Sequence, residues 1–419
     1  MRYKDNMSMK DYEQGIMAAI KQGQLKQAEK TIQQAIEFAI VYHQELEAYE
    51  LVETLRQLGY LDYALLACQC AMQNWENDEW DLLLAELYMD NDDLDDALER
   101  LLMINEQSSL YPSALVMMAE LYQLEELYEV SEQKLLHAKQ IVPDEPIIDF
   151  ALGELYGLMG EYQNALMCYQ KVETAHIIEK EELYKKIARM LMALGEFEEA
   201  IVYLEKLTME EHHSESMFEL GLAYYQIQEY ERSIKWFEEL LAKDPDYLSA
   251  HHYLAKALIE TRQTDKAKTF LEHALKENPY QSALYVELYA LYTQYKLWEK
   301  REQLIEQARE YLPDDTTLNV LYAYLLKEKE WYDELIEFVE KQLEEDEDSE
   351  FYWLLAYAYG KNEQDDKAQH YYTLAYRMFY EDAQFLEDYA LYLREIGKKD
   401  ELANIMVQLK QINPEWTLS

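Results

Sequence analysis

Residues able to do chemistry are present in this chain, but their spacing keeps them apart. Cys68 and Cys70 stand two residues apart on an expected helix, so their thiols point to different faces and cannot hold one ion as a Cys-x-x-Cys turn does. With Cys168 they make three thiols, an odd and sparse set that argues against an extracellular disulfide framework. His212 and His213, and again His251 and His252, are adjacent pairs; neighbours on a helix diverge, and no His-Glu-x-x-His run accompanies them. No metal and no cofactor is expected.

The acidic run Asp90, Asp92, Asp93, Asp95 and Asp96 offers the hard oxygens that calcium prefers. Yet Leu94 stands where a ligand is needed, and no glycine permits the sharp turn of a calcium loop, so a solvated turn between helices is the better reading. The run from Glu344 to Glu350, broken only by Ser349, reads in the same way as an exposed connector. A glycine-rich phosphate loop, a Gly-x-Ser-x-Gly elbow and a nucleotide fingerprint are all missing from the sequence. Catalysis is therefore not expected, and the chain reads as a protein that binds rather than transforms.

The elements that position these residues show themselves between Ser214 and Asp246. Small and apolar residues recur at helical spacing through Leu220, Gly221 and Tyr224, then through Tyr230, Ser233, Phe237 and Leu240 after a polar break at Gln228, and Pro245 ends the second helix. Pro279 and Pro313 close the next two units at steps of 34 residues. Keeping that register outward gives twelve units, 9–44, 45–77, 78–111, 112–145, 146–180, 181–213, 214–247, 248–281, 282–315, 316–348, 349–382 and 383–416. The reading divides them as 9–213 and 214–416 within one continuous array.

Residues not used to set the register agree with it. Pro112 and Pro146 open first helices, where a missing N–H costs nothing, while Pro143, Pro245, Pro279, Pro313 and Pro414 close second helices. Gly23, Gly59, Gly160, Gly195 and Gly397 all fall at the turn inside a unit, where a left-handed residue ends the first helix. The eighth position of a unit is small (Ala85, Ala119, Gly153, Ala188, Gly221), and it faces a small residue on the second helix so that the two backbones can approach. A tyrosine column at Tyr88, Tyr122, Tyr156, Tyr224, Tyr292 and Tyr359 supplies the bulk between neighbouring units. Bulky Tyr289, Arg301 and Leu335 break the small columns, so an irregular helix pair or altered twist is expected near 282–345.

Composition bounds the partner. Lys and Arg number 38 against 84 Asp and Glu, a net charge of -46 whose field repels nucleic-acid phosphates and anionic lipid. A partner with a basic segment is the complementary expectation. The opening residues carry no continuous apolar core for a signal peptide, and nowhere do ~18 apolar residues run together, so a cytoplasmic protein is expected.

Period, columns and helix breakers together resemble the tetratricopeptide repeat (TPR) family over nearly the whole chain. The run from Tyr128 to Gly157 resembles the YpiA-type proteins of Bacillus-like bacteria, which consist of such repeats. The resemblance implies an all-α solenoid of stacked antiparallel helix pairs forming a right-handed superhelix, with first helices lining a concave groove, and a role as scaffold or adaptor. It also implies that positions two, five, nine, twelve and thirteen of each unit face the groove.

At those positions stand Glu53, Glu86, Glu120 and Glu154, one carboxylate per unit, then Lys185 and Arg189, then Phe218, Leu222 and Tyr225, and finally Tyr324, Trp353 and Tyr357. The expected groove is thus acidic in the N-terminal half and aromatic in the C-terminal half, suited to a protein or peptide with a basic segment. The carboxylate clamp of chaperone-binding relatives, built on Asn with Lys or Arg, is not reproduced, since only Lys185, Arg189 and Lys256 offer charge. A peptide-sensing regulator whose superhelix changes pitch is the alternative, although a first repeat at Met9 leaves no room ahead of it for an effector bundle. The face of Leu402, Met406 and Leu409 is expected to be exposed at the C-terminal end, either pairing two copies or covered by Trp416.

Overall fold

The structure, a computed structural model, describes residues 8–175, 178–210, 213–344 and 348–413. Pro414, Trp416 and His212 lie outside the described residues, as does the centre of the acidic run between Glu344 and Glu350. The described chain is built from α-helices alone and divides into two compact units, one running to Glu210 and one starting at Glu211.

The first unit holds six helical hairpins: Met9–Lys21 (α1) with Leu25–Val41 (α2), Glu45–Gln57 (α3) with Leu61–Met72 (α4), and Asp78–Asp90 (α5) with Leu94–Met103 (α6). Then come Tyr111–Leu124 (α7) with Tyr128–Ile141 (α8), Pro146–Leu158 (α9) with Tyr162–Glu173 (α10), and Lys180–Leu194 (α11) with Phe197–Glu210 (α12). The second unit repeats the plan with Ser214–Gln226 (α13) and Tyr230–Lys243 (α14), Leu248–Glu260 (α15) and Thr264–Glu277 (α16), and Ser282–Gln294 (α17) and Trp298–Tyr311 (α18). It ends with Thr316–Glu328 (α19) and Tyr332–Gln342 (α20), Ser349–Lys361 (α21) and Asp365–Phe379 (α22), and Ala383–Glu395 (α23) and Lys399–Ile412 (α24). Every first helix starts on a repeat boundary read from the sequence or one residue before it. Within each unit a first helix packs against its own second helix and against the second helix of the preceding hairpin.

Local chemistry sets the helix ends. Pro112 and Pro146 sit in the first turn of α7 and α9, and Pro143, Pro245, Pro279 and Pro313 each stand just past a second helix. Asn77, Asp315, Asp348 and Asp382 accept backbone N–H groups at the starts of α5, α19, α21 and α23. Inside every hairpin the turn carries one left-handed residue. It is glycine at the five expected places, and Asp92, Glu126, Gln228, Arg262, Lys296, Glu330 and Glu363 at the other seven, with φ between 56° and 64°.

The residue after it donates its N–H back to a carbonyl five residues earlier, as Asp93 does to Tyr88 at 2.9 Å and Leu297 to Tyr292 at 2.8 Å. This is the Schellman closure that absorbs a helix's last free carbonyls. The tyrosine column therefore has two tasks. Its backbone closes the turn, and its hydroxyl staples hairpins together: Tyr156 Oη donates to Glu132 on α8 at 2.8 Å, Tyr292 Oη to Glu272 on α16 at 2.7 Å, and Tyr359 Oη to Glu340 on α20.

The bulky residues of hairpins nine and ten are absorbed in different ways. Arg301, only 4% exposed, lies over the Tyr289 ring at 5.1 Å and pairs with Glu328 on α19, so the crowded contact becomes a cation–π stack. Fully buried Leu335 instead joins an apolar core with Ala323, Val339 and Phe351. Helices α19 and α20 stay regular. At the C-terminal end Leu409 is fully buried and Leu402 and Met406 are half-buried, which corrects the expected exposed face; Val407 and Ile412 are the exposed apolar residues there.

Candidate functional site

Glu53, Glu86, Glu120 and Glu154 lie on α3, α5, α7 and α9, one in each of the second to fifth hairpins, but they are not equivalent rungs. Arg56, one turn beyond Glu53, bonds to Glu86 across the hairpin boundary, sets Nε 2.6 Å from Asp90 Oδ2, and brings Nη1 to 3.5 Å from Glu53. One guanidinium has enough donors to engage all three carboxylates, so the first two rungs already share a cation from within. Glu154 is also occupied, by Lys186 Nζ at 2.7 Å and by the Tyr169 hydroxyl, which donates to it.

Glu120 differs. It is exposed and, among the described residues, has no hydrogen-bond or ion-pair partner. Although solvent reaches it, the protein around its carboxyl desolvates the charge and Glu86 adds repulsion, so its pKa stands above the ordinary carboxylate value. Leu124, one turn further along α7, is 63% exposed, and Leu158 at the matching place on α9 is 61% exposed. A solvent-exposed carboxylate without a described protein partner thus stands one turn from an exposed leucine. Lys185 pairs with Glu181 on its own helix, and Arg189 is exposed.

In the second unit Phe218, Leu222 and Tyr225 are half-buried members of an aromatic network. Phe218 packs on Tyr247 at 5.1 Å and Phe237 at 5.8 Å, and Tyr225 meets Tyr230 at 5.3 Å and Tyr253 at 5.6 Å. Tyr324 stands edge-on to Trp353 at 6.4 Å.

Trp353 needs a correction. It is 6% exposed, wedged against Phe379 and Phe385, and its indole N–H donates to Asp388 at 3.0 Å, so the ring is a packing element and not an open anchor. Lys327 on α19 reaches past it to Asp388 on α23 at 2.7 Å and lies over the Tyr357 ring at 4.0 Å. That ion pair spans three hairpins and fills the space the rings were expected to leave open. Tyr357 stays half-buried, and burial, with nearby Tyr332 and Asp388, pushes its phenol up to about 12.

The other chemistry-bearing residues are structural. Burial pushes the Cys68 thiol up to about 12, Cys168 is buried, and all three cysteines are free. Asp92 is the left-handed turn residue of its hairpin and Asp93 precedes α6 as its cap. Asp348 caps α21. His251 stacks on Phe270 at 5.7 Å, and His252 lies 3.9 Å from Glu287. Among the described residues no His, Cys, Asp and Glu side chains gather in a metal-holding group.

Stacked two-helix units of 34-residue period, closed by a left-handed turn and joined by a tyrosine column, define the chain as a tetratricopeptide repeat array. The sequence model described as YpiA-like tetratricopeptide repeats matches residues 123–177, and that of the YpiA-like C-terminal repeats matches 350–415. General tetratricopeptide models match 185–247 and 228–292. The TPR repeat-containing protein YpiA of Bacillus subtilis (strain 168) is 33% identical over 334 residues, covering 78% of both chains. The chain belongs to the YpiA-like tetratricopeptide repeat family. Among solved structures, the Cut9–Hcn1 hetero-tetramer of the APC/C is similar with TM-score 0.41 and 13% identity, over 98% of this chain and 95% of that one. YrrB, a TPR protein with an unusual peptide-binding site, is similar with TM-score 0.40 and 16% identity, over 45% of this chain and 95% of its own.

Proposed function

We propose that the protein is a non-enzymatic cytoplasmic scaffold whose first unit takes a segment of another protein along α7 and α9. A Lys or Arg of that segment pairs with Glu120, and its apolar side chains cover Leu124 and Leu158. The reading is supported by the contrast along the carboxylate row: Glu53, Glu86 and Glu154 have cationic partners, and Glu120 has none among the described residues while it bears a desolvation cost that a cation offsets. A net charge of -46 steers a basic segment toward the molecule. Phe218, Leu222 and Tyr225 extend the proposal to an aromatic contact surface on the second unit, with Tyr324 and Tyr357 in lesser parts.

The test is a photo-crosslinking residue placed at Leu124 in the full chain, with Val202, exposed on α12, as the control position. Capture of a discrete protein from position 124, abolished when Glu120→Lys is added and never seen from position 202, supports the groove. Equal capture from both positions, or capture indifferent to Glu120→Lys, refutes it.

A further inference from the structure

A second feature of the first unit lies away from Glu120. Between α4, α5 and α6 is an open hollow of about 560 Å³, lined on its apolar side by Met72, Leu84 and Met103 and on its polar side by Gln73, Glu76 and Arg100, with the Asp81 carboxyl set into its wall. The Asp81 side chain is 18% exposed; among the described residues its one ion-pair partner, Arg100 Nη1, stands 3.9 Å off, too far for a hydrogen bond, and the carboxylates of Asp78 and Glu76 are close enough to repel it. A largely buried carboxylate without a hydrogen-bonded cation is costly.

This chain supplies such a cation two periods further on. Asp149 is the fourth residue of α9, as Asp81 is the fourth residue of α5. Asp149 is bonded by Lys139 at 2.7 Å and approached by Lys171 at 3.8 Å. Lys139 is the twelfth residue of the preceding second helix, α8, and Lys171 the tenth residue of its own second helix, α10.

The twelfth residue of α4 is Met72 and the tenth of α6 is Met103. Both lysines are thus methionines around Asp81, and both methionines line the hollow. A third instance follows the same plan. Asn319, fourth in α19 and 1% exposed, takes a hydrogen bond at 3.2 Å from Arg309, twelfth in α18. At ten residues α6 is the shortest helix described, and Met103, its last residue, lines the hollow.

We propose that the Asp81 hollow receives an arginine side chain of a partner protein, which takes the place that Lys139 and Lys171 fill beside Asp149. Arginine fits better than lysine because its planar, weakly hydrated guanidinium tolerates the apolar walls of Met72, Leu84 and Met103 while its fork engages the carboxylate. Leu102 and Met103, 62% and 57% exposed, give the rest of the partner an apolar rim. Desolvation holds the Asp81 carboxyl above its ordinary pKa although Arg100 pulls it down. The site is independent of Glu120, so either can fail without the other.

The experiment titrates the full chain, carrying methyl-labelled methionine, with N-acetyl-arginine amide and, as the neutral isostere, N-acetyl-citrulline amide at matched ionic strength. The Met72 and Met103 methyl resonances are expected to shift saturably with the arginine probe and at least fivefold more weakly with the citrulline probe. The response is lost in Asp81→Asn and in Met103→Lys, which fills the hollow as Lys171 approaches Asp149, and it is kept in Glu120→Lys. Absence of a saturable shift at these methyls, equal binding of the two probes, or an undiminished response in Met103→Lys overturns the proposal, whether or not Asp81→Asn folds.

Discussion

The ring of Phe237 on α14 lies 2.7 Å from the point where a Cβ on Gly221 of α13 would stand, and Ser233 Oγ donates to the Gly221 carbonyl at 2.8 Å beside it. The two helices approach this closely because one side contributes no side chain and the other lays a flat ring into the gap. Phe237 is fully buried and cannot swing away. Gly221→Ala should therefore cost about 1–3 kcal/mol by overpacking, read as a lower urea midpoint, and adding Phe237→Leu should return part of the loss. A neutral Gly221→Ala would show that the contact has slack.

The seven hairpin turns without glycine hold an L-residue in the left-handed region, which costs about 1–2 kcal/mol at each. Gln228, exposed with φ 63°, makes no side-chain hydrogen bond among the described residues. Gln228→Gly should raise stability by up to about 1 kcal/mol after the unfolded-state entropy of glycine is subtracted, and Gly397→Ala, at φ 77°, should lower it by a similar amount. Thermal melts of the pair must move in opposite directions.

Lys327 and Asp388 are 15% and 16% exposed, so their ion pair is shielded from solvent, and Asp388 also accepts the Trp353 N–H. Removing one partner strands the other, and Asp388→Ala should cost about 3–5 kcal/mol. Replacing both, Lys327→Met with Asp388→Leu, should recover most of that loss. Equal damage from the single and double variants would mean that packing, and not the stranded charge, sets the cost.

Glu120 titrates in opposite senses for stability and for binding. Its folded pKa is raised above the ordinary 4.5, so protonation favours the fold: that contribution is complete below the unfolded pKa and is lost as pH rises through the folded one. Pairing with a basic segment needs the ionised form. Partner affinity should thus fall as pH is lowered through the raised value, beginning above 4.5, and Glu120→Gln should remove that dependence.

The fold was legible because its signals are local and repeated. Pro143, Pro245, Pro279 and Pro313 stop helices wherever they stand, and Gly59 or Gly160 marks a turn by conformation alone. The equivalent turns at Glu126 and Lys296 carry no such mark, since their left-handed residue is imposed by the Schellman closure around it.

The expected row of carboxylates was only half legible. Position within a repeat places Glu53, Glu86 and Glu154 on one row, but what pairs with them, Arg56 and Lys186, depends on side chains reaching between helices 30 and 32 residues apart. Arg56 sits three residues after Glu53, and that spacing was the available sign that the row would be bridged. Trp353 misled for the same reason. Its burial comes from Phe385 and Asp388 on α23, a helix its own sequence neighbourhood does not announce.

The most direct measurement is the affinity, by titration calorimetry at physiological salt, of the protein captured at Leu124 for the native chain, for Glu120→Lys, and for Glu238→Lys as a control that makes the same charge change on an exposed site of α14. A charge-assisted contact is worth about 1.5–3 kcal/mol, so Glu120→Lys should weaken binding by roughly tenfold to a hundredfold or more, while Glu238→Lys leaves it within about twofold. Equal losses from the two reversals would reduce the groove to a general effect of net charge, and no loss from Glu120→Lys would contradict the account outright.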